Sequence, residues 1–310
     1  MRVDVITLFP EMFEALNASI PGRAQKSGAL ELRTHQLRDH AINKHGQVDD
    51  APYGGEAGMV LRPEPLKAAL DKVLAELKPT RPKVILMSAQ GRILSQNRLQ
   101  ELSETENLLI ICGHYKGVDQ RFCDAYVDEE ISMGDYVVSG GELPAMVLID
   151  AVARLLPDVL HDSDSAETDS FQRPGRLGWP VYTRPQEFEG RIVPEVLVSG
   201  HHENIQTWRL LESLRLTGKN RPELLEKFEV TDEEQQALRQ DRIHGQIGAR
   251  CGVVGLSAVG IGHRIEPHRA VETQIRPARG QAQRRPQVDD EIRLRGVGQT
   301  KGGVVAPDQR

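Results

Sequence analysis

Cysteine is scarce in this sequence, with three in 310 residues, and Cys112, Cys123 and Cys251 do not have the spacing of metal ligands. An odd number of widely separated cysteines favours reduced thiols over a disulfide framework, and Cys112 falls in an apolar segment that predicts a buried strand. The sequence also lacks a run of about 20 apolar residues that could span a membrane, and its first residues lack the pattern of a signal peptide. These absences predict a cytoplasmic globular protein.

A glycine fingerprint of the type Gly-x-Gly-x-x-Gly is also missing after the first apolar segment. That pattern holds the pyrophosphate of dinucleotides at the start of a Rossmann fold. Its absence argues against a Rossmann dinucleotide site and against a Rossmann-type methyltransferase.

The charge is unevenly distributed along the chain. The net charge is −6, but residues 251–310 carry 10 basic and 6 acidic side chains, while residues 1–250 have a net charge of −10. Net charge governs long-range steering and does not exclude a local basic groove for nucleic acid. Residues 251–310 also contain no Phe, Tyr or Trp, so we expect a disordered Gly- and Arg-rich extension over 247–310, either solvated or in contact with RNA.

Three short apolar segments predict buried parallel strands of an α/β fold. They are Val3–Phe9, Lys83–Ser88 and Leu108–Cys112, with a helical pattern over Ser95–Glu104 between the last two. Such segments show almost no alternation of polar and apolar residues, which is typical of strands covered on both faces. Loops follow the second and third strands at 89–92 and 113–117, and ligands bind at such carboxyl ends of open α/β sheets.

A third loop of this kind is the most informative segment of the chain. Residues 132–146 crowd glycine and proline together just before an apolar helix over Leu143–Leu156. Glycine lets the backbone bend sharply and approach a ligand closely, although an ordinary turn between a strand and a helix has the same composition.

The chain changes character after Pro157. Residues 158–170 are rich in Asp and Ser, which predicts a mobile linker or lid between domains over 158–178. Beyond it, helical spacing and fresh helix starts at Pro222 and Thr231 predict a small all-helical domain over 179–246. The sequence therefore predicts an N-terminal parallel-sheet domain over 1–157, the linker, the helical domain and the extension.

Several ordered blocks of this sequence resemble bacterial tRNA (guanine-N1)-methyltransferases, the TrmD family of the SPOUT superfamily. The resemblance covers roughly residues 1–243, and its blocks are 8–13, 48–55 with 58–59, 90–92, 112–115, 128–130, 132–146, 169–171, 182–185 and 221–225. It implies a deep trefoil knot in the N-terminal domain and a homodimer with a shared active site. It also implies S-adenosylmethionine, bound in a bent shape, as methyl donor, and methylation of the tRNA guanosine immediately 3′ of the anticodon, position 37.

By the same resemblance, the three strand-end loops form the pocket for S-adenosylmethionine. The residues implied are Leu86, Ser88, Gly113, Gly117, Ser132, Met133, Gly134, Asp135, Tyr136, Val137, Val138, Gly140, Gly141 and Pro144. Backbone donors and acceptors can bind an adenine edge without charged side chains, which suits these glycine-rich loops.

The resemblance further implies that Asp169 is the general base and that Arg154 stabilises the guanine O6. Methylation at N1 must remove the N1 proton while negative charge develops on O6, so a base and a cation serve the same edge. From composition alone, Asp169 is a solvated acid and Arg154 complements a helix end. The implied tRNA contacts are Tyr53, Gly54, Gly55, Met59, Ser170 and Arg184.

One position departs from the family pattern. Lys116 stands where these enzymes commonly carry a glutamate, so the magnesium ion that the family uses is an open expectation here, and no residue is assigned as its ligand. Two alternatives follow: a catalytically silent tRNA-binding paralogue, and a ribose 2′-O-methyltransferase of the same superfamily. The presence of Asp169 and Arg154 favours methylation of the base over methylation of the ribose. We expect no membrane or DNA partner.

Overall fold

The computed structural model describes residues 1–160 and 169–244. Its strands in this part of the chain are β1 (Arg2–Thr7), β2 (Glu31–Gln36), β3 (Asp49–Asp50), β4 (Val60–Leu61), β5 (Lys83–Ile93), β6 (Asn107–Cys112), β7 (Glu129–Ser132), β8 (Glu187–Phe188) and β9 (Arg191–Ile192). The α-helices are α1 (Ser19–Ser27), α2 (Pro63–Leu77), α3 (Gln96–Ser103), α4 (Gln120–Tyr126), α5 (Glu142–Ala153), α6 (Glu195–Val198), α7 (His202–Asn220), α8 (Pro222–Lys227) and α9 (Asp232–His244), and two 3₁₀ segments cover Pro10–Asn17 and Leu37–His40.

Five of these strands form one parallel sheet, in the order β2-β1-β6-β5-β7. In its centre, Ile110 of β6 lies opposite Val5 of β1 and Ile85 of β5. All three side chains are fully buried, as expected for strands covered on both faces. The α/β fold with a parallel sheet is thus confirmed.

Helices cover both faces of the sheet and give two hydrophobic cores. Residues that alternate along β1, β5 and β6 enter opposite cores, as the two-residue period of a strand requires. One core joins Val5 and Ile110 to α1, α3 and α5. The other joins Ile6 and Ile111 to α2 and α4. This three-layer arrangement holds the carboxyl ends of β5, β6 and β7 at one edge.

The second predicted strand was drawn too short, and the predicted loop over 89–92 is wrong. β5 continues through these residues to Ile93, with a shift of register against β7 between Met87 and Arg92. Gly91 allows this, because a Cβ there would lie 2.4 Å from the carbonyl carbon of Glu130. A glycine that marked a loop in the sequence instead permits close approach of two strands.

The region after the linker is not purely helical. The predicted helix starts at Pro222 and Thr231 match α8 and α9, but β8 and β9 form a short antiparallel hairpin. Its turn places Glu189 and Gly190 at φ of +49° and +76°, as the tight turns of two-residue hairpins require. The division into domains at 157, 178 and 246 stays a prediction.

Two predictions fall on segments outside the described residues. They are the extension over 247–310 and positions 161–168 of the linker. Within 1–160 and 169–244, no helix combines the length and apolarity that a membrane span requires.

Candidate active site

A cavity of about 390 Å³ lies at the carboxyl ends of β5, β6 and β7. All residues predicted for the cofactor line it except Gly134 and Asp135. The lining residues from that prediction are Leu86, Ser88, Gly113, Gly117, Ser132, Met133, Tyr136, Val137, Val138, Gly140, Gly141 and Pro144. Two of the predicted loops, 113–117 and 132–146, therefore meet beside residues 86–90 of β5.

Glycines in the wall of this cavity let neighbouring backbone segments pack closely. A Cβ on Gly141 would lie 2.7 Å from Cα of Cys112, and one on Gly113 would lie 3.2 Å from the carbonyl oxygen of Met87. The amide of Gly141 donates a hydrogen bond of 2.7 Å to the carbonyl of Gly113, which ties two of the loops together. The cradle thus fits a ligand held by backbone groups.

Gly134 and Asp135 lie outside the cavity because of a tight turn after β7. The hydroxyl of Ser132 accepts from the Gly134 amide at 3.2 Å and donates to its carbonyl at 3.1 Å. Gly134 has φ of +146°, and a Cβ there would meet the Tyr136 ring at 2.8 Å. This turn brings Tyr136, and not its two predecessors, to the cavity wall.

The loop predicted to contact guanine is bonded to a cofactor loop. The Lys116 amide donates to the carbonyl of Met59 at 2.9 Å, and the Leu61 amide donates to the carbonyl of Gly117 at 2.9 Å. Gly54 and Gly55 have φ of +93° and +80°, and Tyr53 is 99% exposed. Backbone hydrogen bonds therefore place this open loop beside the cavity.

A second cavity, of about 300 Å³, contains the two predicted catalytic residues. Asp169 and Arg154 form an ion pair with 2.5 Å between Oδ2 and Nη2, and both side chains are about half exposed. Ser170 also lines this cavity, and its hydroxyl accepts from the Gly178 amide at 2.9 Å. Arg184 is exposed and lines neither cavity.

The two cavities share no lining residue. The structure therefore assembles the predicted cofactor residues and the predicted catalytic pair into two separate sites.

Comparison with known proteins identifies the chain. The model of the tRNA (Guanine-1)-methyltransferase TrmD family matches residues 1–227. The chain belongs to this methyltransferase family. A protein of Brevibacillus brevis named tRNA (guanine-N(1)-)-methyltransferase is 51% identical over 241 residues, which are 77% of this chain and 98% of that protein.

Relatives of the same name occur in other bacteria. The protein of Halalkalibacterium halodurans is 50% identical over 239 residues, 77% of this chain and 96% of its own length. That of Staphylococcus aureus strain JH9 is 50% identical over 244 residues, 78% of this chain and 98% of its own length. At this likeness, over nearly their whole length, the chain is an enzyme of that type.

The two thiols in the described part of this methyltransferase are poor nucleophiles. Burial, reinforced by Glu130, raises the pKa of the Cys123 thiol at the cavity wall to about 11. Burial, with a further contribution from Glu142, also raises the pKa of Cys112 well above its usual value. Since the thiolate is the reactive form, transfer of a methyl group through either of these two cysteines is disfavoured.

Lys116 gives the first cavity a cation where the family commonly has a glutamate. Its Nζ lies 3.1 Å from a carboxylate oxygen of Glu56. The part of the chain that the structure describes contains no cluster of three His, Cys, Asp or Glu side chains able to hold a metal ion. Magnesium is usually held by one or two carboxylates together with water or substrate oxygens, so the use of this metal stays an open prediction.

Sequence reasoning missed several residues around the two cavities. His114 lines the first cavity and contacts the rings of Phe9 and Tyr115. Glu142 is 2% exposed and accepts a hydrogen bond of 2.8 Å from the Thr7 hydroxyl. His114 lies inside a block that carried the resemblance and could have been included, whereas nothing local marks Thr7 as the partner of a residue 135 positions away.

Proposed function

We propose that this enzyme transfers the methyl group of S-adenosylmethionine to N1 of the guanosine immediately 3′ of the anticodon in tRNA. The observation that carries the proposal is the pairing of Asp169 with Arg154 on a cavity of their own, in a chain of this methyltransferase family. One edge of guanine carries the N1–H donor and the O6 acceptor, and a half-exposed carboxylate and guanidinium side by side can bind both.

S-adenosylmethionine occupies the first cavity in this proposal and supplies an electrophilic methyl group. The volume suits a ligand of this size, and the close backbone packing around Gly113 and Gly141 suits recognition by amides and carbonyls. The exposed loop over 53–59 adjoins this cavity and receives the target base.

Asp169 accepts the N1 proton, and Arg154 stabilises the charge that develops on O6. Before substrate binds, the two side chains neutralise each other across 2.5 Å. Guanine replaces this contact, since its N1–H donates to the carboxylate while its O6 accepts from the guanidinium. Groups that are already in place stabilise the charge where it develops.

Two copies of the chain complete the active site. The cofactor cavity and the Asp169 cavity have no lining residue in common within one chain. α5 is mostly apolar, and on its outer face Leu143 and Val147 remain 55% and 56% exposed, next to the exposed Asp150. A second copy covers this face and brings its Asp169 to the first chain's cofactor, because exposed apolar faces of this kind are typical of interfaces.

The remaining parts of the family fold follow in the same proposal. A deep trefoil knot is supported by the path after β7, where Gly140 and Gly141 pair with His114 and Gly113 of an earlier loop. The helices from α6 to α9 form a domain that binds tRNA, for which Arg209, stacked 5.2 Å from the Trp179 ring, offers a phosphate contact. The natural compartment for such a substrate is the cytoplasm.

Methyl transfer from labelled cofactor to two tRNA transcripts tests the reaction. One transcript carries guanosine after the anticodon, and the other differs only by adenosine there. We expect incorporation into the first alone. Equal incorporation into both would point to ribose methylation, and none into either would point to a silent tRNA-binding protein.

Asp169→Asn tests the role of the base. The amide keeps the size of the side chain but cannot take the proton, so turnover should be lost while cofactor affinity measured by calorimetry stays the same. Retained turnover would remove Asp169 from this role.

Mixing two variants tests the shared site, at a cofactor concentration near the wild-type Kd where Gly141→Ala binds little cofactor. Asp169→Asn has an intact cofactor cavity, and Gly141→Ala has an intact Asp169. If each site combines both chains, a refolded equimolar mixture should recover about a quarter of the wild-type activity, because half of the dimers are mixed and each has one intact site. No recovery, with mixed dimers present, would place the site within one chain.

A further inference from the structure

Arg176 and Glu234 form a buried ion pair, and neither residue lines either cavity. Their side chains are each 3% exposed. Nε and Nη2 of Arg176 donate to the two carboxylate oxygens at 2.7 and 2.8 Å, and Nη2 also donates to the carbonyl of Glu229 at 3.0 Å. Such a two-point contact fixes the direction of the arginine as well as its position.

Glu234 is already held in place by its own helix. Its carboxylate accepts from the Thr231 amide at 2.9 Å, and its amide donates to the Thr231 hydroxyl at 3.3 Å. This is the reciprocal capping arrangement of a helix N-terminus. The first turn of α9 therefore presents a rigid carboxylate to Arg176.

The other side of Arg176 leads to Asp169. Its carbonyl accepts from the Phe171 amide at 2.7 Å, and the neighbouring Leu177 is held by Thr217 and Ser213 of α7 at 3.0 and 2.5 Å. The bond between Ser170 and Gly178 closes the segment 169–178 into a loop. One end of this loop is bonded to the helices, and the other carries the catalytic carboxylate.

We propose that the Arg176–Glu234 pair is a positioning device for Asp169, through which the helices over 195–244 set the place of the base. This inference rests on the proposed role of Asp169. Arg176 touches no substrate in this scheme. It fixes the loop 169–178, so that binding of tRNA to the helices and alignment of the carboxylate are coupled.

The test compares Arg176→Met with Leu214→Ala, a truncation in the core of α7 where the side chain is 1% exposed. Both variants destabilise the same helices, but only the first releases the loop. Below the Tm of both, we expect kcat of Arg176→Met to fall about 100-fold, since a displacement of about 1 Å can have such an effect. Cofactor affinity and tRNA KM should stay within about threefold of wild type, and Leu214→Ala should retain kcat.

Arg176→Lys keeps the positive charge but cannot make the two-point contact with the carboxylate of Glu234, so its kcat should lie between those of wild type and Arg176→Met. Should Arg176→Met fail to fold, Arg176→Lys and Glu234→Gln make the same comparison. Wild-type kcat in these variants, or an equal loss in Leu214→Ala, would overturn the inference. An active Asp169→Asn would instead overturn the proposed function, so the two failures are distinguishable.

Discussion

Gly141→Ala should disable the cofactor cavity through sterics alone. Gly141 has φ of −77° and ψ of −5°, a conformation that alanine adopts freely, so backbone strain does not contribute. The added Cβ would lie 2.7 Å from Cα of Cys112, 2.8 Å from the amide nitrogen of Gly113 and 3.1 Å from the carbonyl carbon of Cys112. All three are backbone atoms in or next to β6, which cannot rotate away.

The magnitude follows from two effects. Overpacking of a well-filled site costs about 1–3 kcal/mol. The shift that relieves it breaks the 2.7 Å bond from the Gly141 amide to Gly113, which costs roughly another 0.5–1.5 kcal/mol. If about 2 kcal/mol of this falls on the bound state, affinity for S-adenosylmethionine drops roughly 30-fold.

Isothermal titration calorimetry with S-adenosylmethionine measures the affinity, and thermal unfolding measures the stability. Gly218→Ala is the matched control, because its Cβ would meet only the flexible end of Leu225, at 3.2 Å, and it lies within α7. There alanine should stabilise the helix by up to about 1 kcal/mol and leave cofactor affinity unchanged. Wild-type affinity and Tm in Gly141→Ala would refute the steric reasoning.

Three further predictions concern stability, assembly and reactivity. Asp4 is fully buried, and burial raises its pKa, but the hydrogen bonds with His35 and Arg2 outweigh burial and hold the pKa below the usual value. The ionised carboxylate therefore stabilises the folded state above about pH 3.9, and this stabilisation is lost as the pH falls through the lower pKa of the folded state. Asp4→Asn should therefore lose about 3 kcal/mol in urea unfolding at pH 7, with a difference from wild type that shrinks towards pH 3; a constant difference would contradict this. Val147→Asp places a charge on the exposed face of α5, so it should give monomers in analytical ultracentrifugation and abolish turnover. An active dimer of this variant would show that this face is not the interface. At pH 8, Cys123 should react with iodoacetamide at least about tenfold more slowly than free cysteine, and rapid labelling located at Cys123 by peptide mass spectrometry would contradict its raised pKa.

The sheet could be predicted from the sequence because burial on both faces leaves a visible pattern. Leu108–Cys112 is uninterrupted and apolar, and it forms β6 with one added residue. β5 was harder, since its last residues are polar and contain Gly91. What keeps them extended is the backbone of β7, and no local property of Gly91 reports on a strand 39 positions away.

Only part of the candidate site could likewise be predicted from the pattern of residues. Glycine-rich loops after strands point to a cavity on physical grounds, and the structure brings the loops over 113–117 and 132–146 together, whereas residues 89–92 belong to β5. The contact between Arg154 and Asp169 has no local signature, because both residue types are common on surfaces. Only the resemblance to the family singled them out, and no local pattern indicates that their cavity is separate from the first one, although the shared active site that the resemblance implies is in keeping with it.

The backbone bonds between Met59 and Lys116 and between Leu61 and Gly117 have a consequence for engineering and for inhibitor design. The loop proposed to receive the target base and the loop proposed to hold the methyl donor are joined by these backbone hydrogen bonds, so neither can be exchanged as a separate module. Grafting a different base-contacting loop onto this scaffold should also change affinity for the donor. An inhibitor that competes with the donor and displaces residues 114–117 should also change the shape of the base pocket. Resistance substitutions in either loop should therefore weaken binding of both the donor and the base.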